Sequence, residues 1–501
     1  MYSLAWKRCA PRLMMALVAT AALLTALGCG NGITIVPTKG GFSKASLNGS
    51  YAFTAKGYGF NAGSNTAANF FVEGGVFTAD GNGNITAGTD DFVEALLNTT
   101  QAFQPSAITG GYSINSDGTG DLQFNFAAGG SEVFRITLAN NNDLYMEEED
   151  GFGTSAGSAH LQASTTMPSG TFVFRTHDIQ KSATMGTMTI SAGAVTGSYL
   201  MVQSGVPATG SISAGSMTVP TGGRGAINYT VSGVPHSGQY YVVSASNFLL
   251  LDQTTGILSL GMAEQQSNTT FSAASLTGSY AFGGSGETTT PGFVNTVGVF
   301  ATDGVSQVTA ANFDSVQDGS VSSNQTPSGT YLIDNAVGKG SGSVTLGGLT
   351  RDIWMVSSSR AYFIALNGTN VEDGTIDQQT GTFTNTSLGA QAAFFMDGFD
   401  ATGVDVLFKD RVGTLVPSAT NTLGINYVVS VFDPVALAGN ETPNSFSGTY
   451  TVASNGRTTA TLNGFTNNLV LYLTSSSGGY VLQADPGVNM SGTFTVQPAT
   501  P

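Results

Sequence analysis

The chain has 501 residues, 67 of them glycine, with 41% hydrophobic and only 10% charged residues. That length exceeds one ordinary domain, and an apolar fraction this large excludes a disordered polyelectrolyte. A formal net charge of −16 repels phosphate backbones and anionic membranes alike, so no nucleic acid is expected as a partner, and membrane attachment needs a separate device.

The N-terminus supplies such a device. Lys7, Arg8 and Arg12 form a basic start, and Leu13 to Leu27 ("LMMALVATAALLTAL") is an apolar run shorter than a typical membrane span. "ALGCGNG" follows, and the arrangement resembles a bacterial lipoprotein signal, in which the cysteine after a small residue is lipidated and becomes the mature N-terminus. The resemblance implies that residues 1–28 are removed, that Cys29 is the lipid attachment residue, and that the protein is exported and held at the outer membrane or cell surface. Ala26 stands where that family prefers Leu. Ordinary secretion with cleavage nearby and an uncleaved anchor are the alternatives. Loss of residues 1–28 removes three positive charges and takes the formal charge from −16 to −19. The other cysteine, Cys9, lies inside the signal, so the mature chain is expected to hold no disulfide framework, thiolate metal site or cysteine nucleophile. Residues 29–45 read as a tether.

Beyond the tether the sequence repeats itself. "SLNGSYAF" (46–53) returns as "SLTGSYAF" (275–282), with looser copies at 167–174 ("MPSGTFVF") and 387–394 ("SLGAQAAF"). A closing hexad alternates with it: "GSAHLQ" (157–162), "GMAEQQ" (261–266), "GTIDQQ" (374–379) and "GTFTVQ" (492–497). The alternation divides the chain into four β modules at 46–163, 167–266, 272–379 and 384–501, each of ordinary domain size.

Within each module hydrophobicity alternates with period 2. "DLQFNF" (121–126), "VFRITL" (133–138) and "NLVLYL" (468–473) bury one face and wet the other, as antiparallel strands do. Turn residues recur between the runs, as in "NSDGTG" (115–120) and "SNGR" (454–457). The fold class is therefore all-β: four tandem antiparallel modules, each an up-and-down barrel because closure removes exposed edges, with a two-sheet sandwich as the alternative. The opening Gly-x-Tyr (Gly49 with Tyr51, Gly278 with Tyr280) resembles the Gly-x-Trp that begins the first strand of calycin barrels, with Tyr in place of Trp. That resemblance implies a barrel able to enclose a small apolar ligand, faced by Tyr51, Phe53, Tyr112 and Phe124. The whole chain also resembles the Gly/Ser/Thr-rich repeat lipoproteins of soil bacteria.

Chemistry-bearing motifs are sparse. His160, His177 and His236 show no ligand-like spacing, and His177 with Asp178 reads as a surface pair. No nucleophile elbow or phosphate loop is present, and no cofactor is implied. Glu147, Glu148, Glu149 and Asp150 read as a solvated strand end. Opposed across a cleft, Glu147 and Glu149 would instead be the acid/base pair of a carbohydrate-active enzyme. "GVFTADGNGNITAG" (75–88) sets Asp80, Asn82 and Asn84 at calcium-loop spacing with Asp91 in position twelve. However, Ile85 replaces the required glycine, and the copy "GVFATDGVSQVTAA" (298–311) keeps only strand, Asp-Gly and strand. The stretch is read as a hairpin, with no metal expected. The long inserts 56–70 and 432–448 are the best candidate binding loops. The expected function is a surface-anchored, non-catalytic array binding extracellular polysaccharide, protein or a small apolar ligand. An exported hydrolase is the remaining alternative.

Overall fold

The computed structural model describes residues 41–498, apart from 61–67, 97–98, 103–104, 149–152, 179–180, 268–269, 289–291, 368–369, 404–405, 419, 436–437 and 464–467. The signal segment, Cys29 and Glu149 lie outside the described residues. Among those described there is no α-helix. The chain forms four antiparallel barrels in series, each closed by pairing of its last wall strand with its first. Barrel 1 runs from Asn48–Phe60 to Gly153–Leu161, barrel 2 from Gly170–Asp178 to Ser259–Gln265, barrel 3 from Thr277–Thr288 to Asn370–Gln378, and barrel 4 from Ala392–Asp400 to Val488–Val496. Each wall has eight strands in up-and-down order. Barrels 1 and 3 carry one extra short strand (Thr99–Ala102 and Ser320–Gln325) paired only to the third wall strand.

Period-2 alternation sends one set of side chains into each barrel. Tyr51 and Phe53 point inward and are buried, while Ala52 between them faces outward and is also buried. The inward rings fill the space: Phe53 and Phe124 have centroids 5.4 Å apart, Phe77 and Phe124 5.4 Å, and Tyr51 stacks on Phe77 at 5.3 Å. One-turn 3₁₀ helices before barrels 1, 3 and 4 (Lys44–Ser46, Ala273–Ser275 and Asn385–Ser387) meet tyrosine hydroxyls of those barrels. Tyr112 donates to the Lys44 and Leu47 carbonyls, Tyr331 to Ala273 and Tyr450 to Asn385. Phe42 and Lys44–Ala45, expected within the tether, therefore pack with barrel 1, where Phe42 belongs to the core.

Part of the outward set is buried between barrels. Ala52, Val72 and Val93 of barrel 1 pack against Tyr241, Leu249 and Leu251 of barrel 2. Ala281, Val299 and Val316 repeat this against Tyr472, Tyr480 and Leu482 between barrels 3 and 4. A buried carboxylate pins each of these interfaces. Asp91 receives Nε and Nη2 of Arg224 at 2.7 and 2.5 Å and the Tyr241 hydroxyl at 2.8 Å. Asp314 receives the same set from Arg457 and Tyr472, all at 2.7 Å. Both carboxylates are fully buried, and the bidentate fork with a phenol satisfies them. Barrels 2 and 3 join through Val173, Met185 and Leu200 against Trp354, Tyr362 and Ile364.

The last residue of each closing hexad locks one barrel to the next. The backbone N–H of Gln162, Gln266, Gln379 and Gln497 donates to the opening strand or lead-in of its own barrel, at Ser50, Thr171, Ser279 and Gln391. The side-chain amide then reaches the following barrel. Gln162 donates to Val242 O at 2.7 Å, Gln266 to Lys339 and Met355 O at 2.8 Å each, and Gln379 to Asn455 and Leu473 O at 3.0 and 2.7 Å. Gln497 donates to Asp117 and Leu138 O of barrel 1, at 3.0 and 2.7 Å. The receiving turns hold Gly223, Gly340, Gly456 and Gly118 with φ between +85° and +89°, and a Cβ there would lie within 2.9 Å of the incoming amide nitrogen. Glycine is thus needed both for the left-handed turn and for room. Because the fourth lock returns to barrel 1, the four barrels form a closed ring.

Candidate functional site

Register carries the opening strands to the ring axis. Counting equally from the residues that receive the glutamine N–H groups, Lys56, His177, Ser285 and Asp397 occupy corresponding positions in barrels 1 to 4. Lys56 Nζ pairs with Asp397 at 2.8 Å. His177 Nδ1 lies 2.5 Å from Asp373 and its Nε2 3.1 Å from Glu287, while Arg175 Nη1 lies 2.6 Å from Asp373. Two carboxylate acceptors require both imidazole nitrogens to donate. Burial works against that charge, but Glu287 and Asp373 outweigh it and hold the His177 pKa up at about 10. His177 is therefore an internal imidazolium between barrels 2 and 3, not the surface partner of Asp178 that the dipeptide suggested.

A recess of ≈ 70 Å³ opens beside these groups, between barrels 1, 3 and 4. Five half-buried rings line it: Tyr58 and Phe70 from barrel 1, Phe293 from barrel 3, Phe399 and Phe408 from barrel 4. Tyr58 stacks on Phe408 at 3.8 Å, Phe399 meets Phe408 edge-on at 4.9 Å, and Phe432 closes on Tyr58 at 5.8 Å. Among them sit three acids, Glu287, Asp397 and Asp410. Thr154 Oγ1 donates to Asp410 at 2.6 Å. Burial, then the charge of Asp397, pushes Asp410 up to about 8, against the pull of Thr154 and Lys56. At neutral pH it mostly carries a proton.

The residues singled out from sequence fall in three places. Tyr51, Phe53, Tyr112 and Phe124 lie inside barrel 1, in contact with its other core side chains. Asp80 caps its own hairpin: Oδ1 accepts the N–H groups of Asn82 and Asn84 at 2.7 and 3.0 Å, and Oδ2 the Asn84 amide at 2.7 Å. Asp303 does the same for Val305, Ser306 and Gln307. Asp91 is turned away from that hairpin, into the Arg224 clamp. Glu147 and Glu148 are buried rather than solvated, because barrel 4 covers the strand Asp143–Glu148. Burial, then Asp410 and Glu441, holds the Glu147 carboxyl well above the usual carboxylate range.

The two inserts chosen as candidate loops converge on the recess: 56–70 contributes Lys56, Tyr58 and Phe70, and Phe432 begins the other. Their described residues are largely strand rather than loop: Asn48–Phe60 and Ala68–Asp80 hold the two ends of the first, whose residues 61–67 lie outside the described ones, and Ala438–Val452 runs through most of the second. Glu287, Phe293, Asp397, Phe399 and Asp410 were not singled out. Nothing in their local sequence distinguishes them, and only the packing of distant modules brings them together.

Fold and recess together define a single-chain closed ring of four up-and-down barrels with an aromatic and acidic recess at its axis. No family model and no curated protein matches the chain. Among solved structures it is similar to the isotype 1 transferrin binding protein B of serogroup B Neisseria meningitidis, at 8% identity and a TM-score of 0.20. That match covers 71% of this chain and 83% of the other. It is also similar to an intact Ap-TbpB with N and C lobes, at 8% identity and a TM-score of 0.17, over 73% and 86% of the two chains. At these scores the overlap establishes neither fold nor function for this chain.

Proposed function

We propose that the protein is an exported, lipid-anchored, non-catalytic binding protein of the cell envelope, with the axial recess as its binding place. One observation carries the binding reading: partly exposed aromatic rings from three barrels gather around a recess, while the interior aromatics of barrel 1 pack on one another. Partly exposed rings beside a few polar groups are the usual lining of a ligand site, and a filled core offers no such space. This favours the recess over a barrel-enclosed apolar ligand. The anchor rests on the Cys29 signal. From Cys29 to Phe42 the chain spans at most about 45 Å when fully extended, which keeps the ring close to the membrane.

Two measurements test the two halves. Labelled fatty acid enters the wild type and not Cys29→Ala, and equal labelling of both overturns the anchor. In a fragment screen by NMR, hits show contacts to Tyr58, Phe399 and Phe408 protons. Hits that map instead to Tyr51, Phe53 or Phe124 overturn the choice of site.

A further inference from the structure

We infer that the axial recess takes a protonated amine carrying a small apolar body. This deepens the reading above and rests on the recess being the binding place. One acid there, Glu287, is short of a donor. Glu287 is 7% exposed; its Oε1 is engaged by His177, and its buried Oε2 has no hydrogen-bond partner among the described residues. Asp410, 6% exposed, accepts from Thr154 and makes no ion pair among the described residues, and a nearby ammonium would favour its ionised form. Lys56 does not fill the need, because its ammonium is held by Asp397. A buried carboxylate oxygen without a donor costs about 1–3 kcal/mol or more, so a ligand N⁺–H that reaches it is bound with that cost relieved.

The remainder of the lining suits the rest of such a ligand. The rings of Tyr58, Phe399 and Phe408 would bury a short alkyl body, and any ring face open to the recess would attract a cation through its quadrupole. At ≈ 70 Å³ the recess is several times the roughly 10–15 Å³ that one water needs, so it has room for a small ligand.

The experiment is calorimetric titration of the purified full ring at pH 7.5 with isopentylammonium, its neutral counterpart isopentanol, tetramethylammonium, and isovalerate. The amine is expected to bind at least tenfold more tightly than the alcohol, and tetramethylammonium, which has no N–H, more weakly than the amine. Glu287→Gln, which keeps the side chain's shape and a carbonyl for His177, is expected to cut amine affinity about tenfold with the melting curve retained. Phe399→Leu is a second variant should the first fail to fold. Equal binding of amine and alcohol, or unchanged amine affinity in a folded Glu287→Gln, overturns the proposal. Isovalerate or isopentanol binding best at the recess also overturns it, while leaving the recess as the binding place. No binding of any probe at the recess overturns both.

Discussion

Replacing Gln497 with Ala tests whether the ring is closed by its glutamine locks. The side chain is 5% exposed, donates to the carbonyls of Asp117 and Leu138, and accepts from Gln391 Nε2 at 2.7 Å. Gln391 also reaches Asp117 O at 2.9 Å, so that carbonyl keeps a partner while Leu138 O loses its side-chain donor. The net loss for buried bonds of this kind is about 2–4 kcal/mol. Gln497→Glu is expected to cost more at neutral pH, because it points a carboxylate at two carbonyl oxygens. For a melting unit the size of one barrel, each kcal/mol lowers Tm by about 4–8 °C, so the first calorimetric transition should fall by roughly 8 °C or more. Small-angle scattering should show the radius of gyration rising as barrel 4 leaves barrel 1. If both variants melt within about 2 °C of the wild type, well inside what one lost bond predicts, with unchanged scattering, the locks do not hold the ring.

Asp314→Ala should destabilise the barrel 3–4 interface by about 3 kcal/mol, since it leaves Arg457 part-buried without its carboxylate, and urea denaturation measures this. A loss below about 0.5 kcal/mol, the level of an exposed pair, would make the clamp ornamental. His177 should remain doubly protonated through pH 8.5 in imidazole ¹⁵N spectra. Its folded pKa is raised, so its contribution is fully present below the unfolded value of 6.5 and is lost as pH rises through about 10; a midpoint near 6.5 refutes the internal imidazolium. Asp80 should titrate near 2, held down first by the Asn84 side chain and then by the Asn84 and Asn82 N–H groups. Its folded pKa is lowered, so its contribution is present above the unfolded value and is lost as pH falls through about 2; a midpoint near 4 refutes the hairpin cap. Gly456→Ala should weaken the barrel 3–4 lock, because φ is +85° and the new Cβ would meet Gln379 Nε2 at 2.8 Å; an unchanged Tm argues against a tight socket.

The barrels were legible because alternation and the repeat are local. Tyr51 and Phe53 on the same beat, with turns at "NSDGTG" and "SNGR", specify antiparallel walls from the residues alone. The terminal Gln of each hexad was visible as a recurrence, but its purpose was not, because its amide acts on the next barrel. Ala52 and Ala281 look like weak strand residues until a second barrel covers them. Asp91 illustrates the remaining gap. Counted along the chain it falls in a metal-loop position, yet its partner, Arg224, lies 133 residues away. The recess was half legible, since 56–70 stood out as an unusual insert. Its acidic half comes from barrels 3 and 4, and no periodicity in one strand reports which distant strand will face it.

The lock between barrels also bears on how many modules such a chain can have. Each lock is a head-to-tail contact, a hook on one unit entering a socket on the next, and such contacts either close after a set number of steps or continue indefinitely. Here closure comes at the fourth step, when Gln497 meets Gly118. Losing or gaining one module would leave an unfilled hook and an empty socket on the same molecule, free to join other copies end to end. Copy number is therefore a geometric constant of this architecture, unlike that of an open solenoid, where units are added without changing the assembly.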